Sequence, residues 1–248
     1  MIVRHLWLVL ALVLPTSTAR AQARWTVDAK SSLAWWQMNP HMNHLWATTC
    51  PGEPSWRPGE ERTAGWFMDR WLRAPSALDS TNVPMYPRPQ ARDVCHEAVQ
   101  GEITALDTVT WRGVRGEISV KAALLHTGQE LRDTYARKSV LEAEAYPEIR
   151  FAIDSLVNVS RRADTLTGSA VGLFSLHGVS KPIVATVQFW PEGGGLRVRG
   201  KFRIPAQAMI EDYGFSAFAL GLGVGMKVWR ELYMGVDLLV RSQPLPDS

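Results

Sequence analysis

From Glu148 to Arg241 apolar and polar residues alternate at a spacing of two through one segment after another, and most of the connections are too short to hold a helix. A period of two is the signature of half-buried strands, and short turns force neighbouring strands to run antiparallel. Ile149, Phe151 and Ile153 alternate with Arg150, Ala152 and Asp154. The run from Leu166 to Leu176 reaches a turn at His177–Pro182, Ile183 to Trp190 reaches a second at Pro191–Gly195, and Leu196 to Ile204 follows. In that last run Val198, Gly200, Phe202 and Ile204 share one face and Arg197, Arg199, Lys201 and Arg203 the other, which predicts a strand with one wet side. A final strand over Tyr233–Arg241 carries Met234, Val236, Leu238 and Val240 on one face.

Upstream, Ile118, Val120 and Ala122 alternate with Glu117, Ser119 and Lys121. Trp25 to Trp36 is strand-like with a polar interruption at Asp28–Ser31. Between the strands, Gln129 to Ala145 is predicted to be a short helix, with Leu131, Tyr135 and Val140 on one face and Tyr146-Pro147 ending it. About eight strands with one helix and no regular strand–helix alternation exclude a parallel sheet. The predicted fold is all-β: an eight-stranded antiparallel lipocalin-like barrel, with one short helix and a long irregular insertion. Closure removes the sheet edges that would recruit other chains, although a sandwich satisfies the same alternation.

The first residues, MIVRHLWLVLALVLPTSTARAQA, carry a basic start, an apolar run from Leu6 to Leu14 and a small-residue tail. That order is a secretory signal peptide, and an apolar run this short is less than half of the ~20 residues a membrane-crossing helix requires. The expected division is a signal peptide over 1–23 and one barrel domain over 24–248, with cleavage after Ala21 also allowed. The exported chain is expected to be periplasmic or secreted. Removing Arg4 and Arg20 leaves 25 Lys and Arg against 24 Asp and Glu, so nucleic acid is not an expected partner.

Residues 39–98 differ in character, because they hold Pro40, Pro51, Pro54, Pro58, Pro75, Pro84, Pro87 and Pro89 and no lasting periodicity. Such a stretch in a compact domain is usually a functional loop or an ordered cap. The two cysteines, Cys50 and Cys95, frame most of it, and in an oxidising compartment they are expected to pair. That disulfide would stabilise by about 4 kcal/mol on a chain-entropy basis. A metal site using Cys95 and His96 with His41 or His44 is the sharper alternative, but its spacing matches no strong zinc pattern, and neither a metal nor a cofactor is expected.

Several motifs in order resemble a known family. Trp25-Thr26-Val27-Asp28 is similar to its opening strand, Arg132-Asp133 to a pair at the start of its helix, and Tyr146-Pro147-Glu148-Ile149-Arg150-Phe151 to its Tyr-Pro-x-Ile-x-Phe. Phe174-Ser175-Leu176-His177-Gly178-Val179-Ser180-Lys181-Pro182 resembles its Leu-Thr-Leu-His-Gly-Val-Thr-Lys-Pro strand and turn, and Asp212-Tyr213-Gly214-Phe215 is similar to its Asp-Phe-Gly segment. The family is the YceI-like group of exported proteins, sometimes described as polyisoprenoid-binding. The resemblance covers about 24–36 and 99–241, and the insertion at 39–98, with Trp46, Trp56, Trp66 and Trp71, marks this chain as a divergent member.

The resemblance implies a barrel with an apolar interior that holds a long-chain amphiphile such as an isoprenoid, a quinone or a fatty acid or amide. Trp35, Phe151, Phe174, Leu176, Phe189, Phe202, Ile204, Tyr213, Phe215 and Phe218 are the expected cavity lining. The alternative is that these residues fill a solid core and the protein has a structural or interaction role without a lipid. The apolar, glycine-rich stretch from Ala217 to Met226 is a candidate gate or membrane-touching loop, set against a buried hairpin end. Transient membrane contact and homodimerisation both remain open. His177 is read as a hydrogen-bond partner at its turn, and Asp133 as a group satisfying free amides at the helix start. No G-x-S-x-G, H-E-x-x-H or glycine-rich phosphate loop occurs, so an enzyme is not expected.

Overall fold

The computed structural model describes residues 22–38, 45–49, 97–126, 130–216 and 231–244. Ten strands form one sheet: β1 Ala23–Val27, β2 Leu33–Met38, β3 Leu45–Thr48, β4 Val99–Ala105, β5 Arg115–Lys121, β6 Glu148–Arg162, β7 Thr165–Leu176, β8 Val179–Glu192, β9 Gly195–Pro205 and β10 Glu231–Gln243. Every pairing is antiparallel. The order β1-β4-β5-β6-β7-β8-β9-β10 is closed by a β1–β10 pairing, which makes the expected eight-stranded barrel. β2 and β3 extend the sheet beside it.

Closure depends on the polar interruption after β1. One edge of β10 is shared, with Leu232–Asp237 paired to β2 and Val240–Gln243 paired to β1. Between them the chain makes a single 3-10 turn over Ala29–Ser31. The fully buried Ser32 keeps the ladder satisfied, since its hydroxyl accepts from Leu239 N at 3.0 Å. β3 is tied in turn to the segment after β5 by Thr48 and His126, whose backbones exchange two hydrogen bonds of 2.9 Å.

At the β7–β8 hairpin the two turn residues, His177 (φ 52°) and Gly178 (φ 77°), both have positive φ, the primed geometry that matches strand twist. Glycine is needed at the second position, because a Cβ on Gly178 would sit 2.7 Å from the Tyr146 ring.

Two packed layers fill the ends of the barrel. At the end where β4 turns into β5, Trp25, Val27, Ala105, Val114 and Val240 pack with Trp111. At the other end Leu176, Ile204 and Leu232 pack with Met209, Tyr213 and Phe215, which belong to helix α2 (Ala206–Glu211) and the turn after it. The predicted helix is shorter than expected: α1 runs over Glu130–Tyr135 and passes into a wider turn over Ala136–Val140, where Leu141 N bonds to Ala136 O at 2.8 Å. The wider turn changes the face presented to the barrel. Val140 and Leu141 pack on the end layer while Tyr135 is 44% exposed.

Three expectations are corrected. The outer face of β9 is not uniformly wet: Arg197 and Arg199 are 14% and 19% exposed, and both donate to the buried carboxylate of Asp237, at 3.3 and 3.0 Å. Asp133 lies inside α1 rather than at its start, and its buried carboxylate faces His126 Nδ1 at 3.8 Å. The Cys50–Cys95 disulfide is withdrawn, since no disulfide is found among the described residues and both cysteines lie outside them.

Candidate functional site

Between the two packed layers lies a cavity of about 110 Å³. That is several times the ~10–15 Å³ a single water needs, and an apolar void of this kind stays dry. Its wall comes from the inward positions at mid-height, where the side chains are small. β7 places Ala170 there, β8 Ala185 and Val187, β9 Val198 and Gly200, and β10 Val236 and Leu238. Above these, Phe174, Phe202, Phe151, Trp36 and Met234 narrow the space. Phe174 meets Phe202 edge to face with ring centroids 4.8 Å apart, and Phe151 is stacked on Phe202 at 6.3 Å.

Strand register explains how the expected lining residues divide. Trp35, Phe151, Phe174 and Phe202 line the cavity. Leu176 and Ile204 sit one inward position beyond Phe174 and Phe202 and belong to the upper packed layer, together with Tyr213 and Phe215. Phe189 sits one inward position beyond Val187 in the lower layer, where Trp111 meets it edge-on at 4.5 Å and stacks on Trp25 at 5.8 Å. The Trp35 ring lies across Gly235, where a Cβ would stand 2.5 Å from it. Phe218, the Ala217–Met226 stretch, His41, His44, Cys95 and His96 lie outside the described residues.

Polar groups are scarce around this space. Arg150 is the charged residue of the wall, but it alternates with the inward Ile149 and Phe151, so its guanidinium is exposed on the outer face and paired to Glu148. The Tyr213 hydroxyl is buried without a partner, and burial, helped by the Asp212 charge, pushes it up to about 12. Neither Trp35 Nε1 nor Trp111 Nε1 has a partner.

His177 is held at the upper end between the rings of Tyr146 and Phe215, at 4.3 and 4.8 Å. Its Nδ1 is 3.3 Å from the Tyr213 carbonyl and its Nε2 3.6 Å from a Glu142 carboxylate oxygen. Ser175 is hydrogen-bonded to Ser180 at 2.6 Å and makes no contact with His177 that would activate it. Among the described residues no group of His, Cys, Asp and Glu is arranged to hold a metal ion.

The cavity had a sequence signal that alternation alone does not reveal. The inward residues of β7 read Leu166, Gly168, Ala170, Gly172, Phe174, Leu176, small in the middle and large at both ends. Of these Ala170 lines the cavity, whereas a Cβ on Gly172 would clash with the Ala152 carbonyl oxygen, so that glycine answers to the close approach of β6.

Solved structures share this architecture. Burkholderia cenocepacia BcnA is similar with a TM-score of 0.56 and 10% identity, over 86% of this chain and 98% of that one. A polyisoprenoid binding domain from Saccharophagus degradans implicated in plant cell wall breakdown follows with a TM-score of 0.52 and 12% identity, over 88% and 98%. At these identities the likeness is one of fold. A UPF0312 protein of Pseudomonas fluorescens is 33% identical over 87 residues, a match spanning 33% of this chain and 44% of that protein. The YceI-like domain model matches residues 91–237, more than half of the sequence and every barrel strand from β4 to β9, and the chain therefore belongs to the YceI-like family.

Proposed function

We propose that the protein binds an apolar-tailed amphiphile inside the barrel and acts as a carrier or sequestering protein, without bond-making chemistry. One observation carries this reading: an apolar cavity at the height where the inward residues are small. Support comes also from the similar Saccharophagus degradans domain, which is described as polyisoprenoid binding. The tail occupies the mid-height space and the polar end stays outside it. An isoprenoid, a quinone and a fatty acid or amide all meet these demands. A buried tail gains roughly 0.8 kcal/mol per methylene before ordering costs are subtracted. We read 1–23, outside the described residues apart from Gln22 and Ala23, as a leader, and infer that the carrier acts in the periplasm or medium as a single 24–248 domain.

The test is extraction of the purified protein with organic solvent, mass spectrometry of what is released, and uptake of a fluorescent apolar probe by wild type and by Ala185→Leu, which fills the void. A released amphiphile, or uptake by wild type and not by the filled variant, is the expected result. One observation favours a second reading, a structural or interaction role with no lipid: both ends of the cavity are covered by packed side chains. An empty wild-type protein that takes up no probe would establish that reading instead.

A further inference from the structure

The floor of the cavity is not built by the barrel wall alone. Val187, Val198, Leu238 and Ile103 line the space, and the next inward positions, Phe189, Leu196, Val240 and Ala105, close beneath them. Into the middle of that layer comes Trp111, from the turn joining β4 to β5. Its indole is stacked on Trp25 and set edge-on against Phe189. The turn is constructed to hold it there: Asp107 Oδ1 accepts from the amides of Val109 and Thr110 at 2.8 and 3.1 Å, and Trp111 itself is left-handed with φ 56°. A large side chain at positive φ persists only where its surroundings fix it. The buried Nε1 has no partner, so this ring is placed for its bulk rather than for a hydrogen bond.

We propose that Trp111 sets the length of apolar chain the barrel accepts. This rests on the binding reading above. The lined stretch of β9 runs from Val198 to Phe202. At ~3.3 Å per residue that stretch is about 13 Å of strand, and with barrel strands tilted by about 40° it is about 10 Å of depth. Carbon–carbon bonds of ~1.5 Å in a zigzag advance about 1.25 Å each, so the depth alone admits roughly eight to ten carbons. The volume is the tighter limit: 110 Å³ is less than the ~150 Å³ that takes a benzene ring, which restricts the tail inside to about four to six carbons. The ligand class is thus a short apolar tail, or a longer one whose remainder stays outside the cavity.

Calorimetric titration of the delipidated full chain with a homologous series of primary alcohols tests this. In wild type the affinity should rise about fourfold per added carbon and stop rising at roughly four to six carbons. In Trp111→Ala the rise should continue for several more carbons, and in Trp111→Leu, which keeps an apolar side chain and protects the fold, for fewer. Leu106→Ala, an exposed residue of the same turn, should keep the wild-type plateau. A plateau at the same length in wild type and both Trp111 variants overturns the inference and leaves the binding reading intact. Failure of every alcohol to bind any of these proteins overturns the binding reading and the inference with it.

Discussion

Replacing Asp237 with alanine should be among the most destabilising single changes outside the core. The carboxylate is 3% exposed and accepts from Arg199 Nε at 3.0 Å and Arg197 Nη1 at 3.3 Å. Removing it affects its two partners unequally. Arg197 keeps Glu192, at 2.7 and 2.9 Å, and the Ser31 carbonyl at 2.9 Å. Arg199 keeps only the face of Trp190, 5.0 Å from the ring centroid. One poorly hydrated guanidinium is then uncompensated. Breaking a buried pair costs about 3–5 kcal/mol, and with a single stranded partner the lower end applies, about 3 kcal/mol. For a domain of this size that corresponds to a fall in Tm of about 6–12 °C.

Urea unfolding followed by tryptophan fluorescence measures the change, with an unaltered denaturant slope confirming that the folded state is the same. Arg199→Met in the Asp237→Ala background should recover part of the loss, because it removes the orphaned charge and keeps much of the packing. A cost below about 1 kcal/mol for Asp237→Ala, the value of a solvent-screened surface pair, would refute the claim that this network is desolvated.

Gly235→Ala should lower stability by at least about 1–3 kcal/mol in a thermal melt, since the new Cβ would lie 2.5 Å from the Trp35 ring and 2.7 Å from the Gly200 carbonyl oxygen; an unchanged melt would mean that Trp35 can move off β10. Tyr213→Phe removes a buried hydroxyl that has no partner, and should be neutral or stabilising by about 1 kcal/mol, whereas a loss of stability would reveal a partner for that oxygen. In alkali, burial pushes Tyr213 and Tyr233 up to about 12, helped by Asp212 for the first and by the hydrogen bond and charge of Glu231 for the second. The folded protein therefore retains protons that an unfolded tyrosine releases at about 10, so this stability is complete below about pH 10 and is lost as the pH rises towards 12, by ~1.4 kcal/mol per unit for each group. Unfolding titrations across that range on wild type and Tyr213→Phe should show a shallower decline in the variant, and equal slopes would place the Tyr213 hydroxyl in contact with water.

Much of the fold is written locally. Alternation of the Ile149, Phe151, Ile153 kind specifies strands whatever surrounds them, so β5 to β10 were legible from residue order, although the turn expected over His177–Pro182 contracts to His177-Gly178 and Val179–Pro182 belong to β8. What alternation cannot specify is the outer environment of a strand. Arg197 and Arg199 read as solvent-facing because arginine usually is, yet the carboxylate of Asp237, on the neighbouring strand directly opposite Arg199, makes their burial tolerable. The same limit applies to Tyr135, where the passage from α1 into a wider turn rotates the face after the helical period has been counted. For the site, the alternation placed Phe151, Phe174 and Phe202 inward but could not separate wall from ceiling. Height along the axis is a property of register, which is set by pairing partners far away in the sequence.

Register also explains why the void survives. In an isolated helix pair, missing side-chain volume is partly recovered as the helices approach, but a closed ring of hydrogen-bonded strands fixes its own radius, so Ala170, Ala185 and Gly200 at one height leave space that nothing can move in to fill. At about 24 cal/mol per Å³, a 110 Å³ cavity costs about 2–3 kcal/mol, a sizeable part of a net stability of about 5–15 kcal/mol. Ala185→Leu should recover some of this, raising stability by about 1 kcal/mol while abolishing probe uptake. Gain of stability with loss of uptake is the expected signature of volume kept open for a ligand. A filled variant that is markedly less stable than wild type would refute this, because it would mean that the wall at Ala185 is already closely packed.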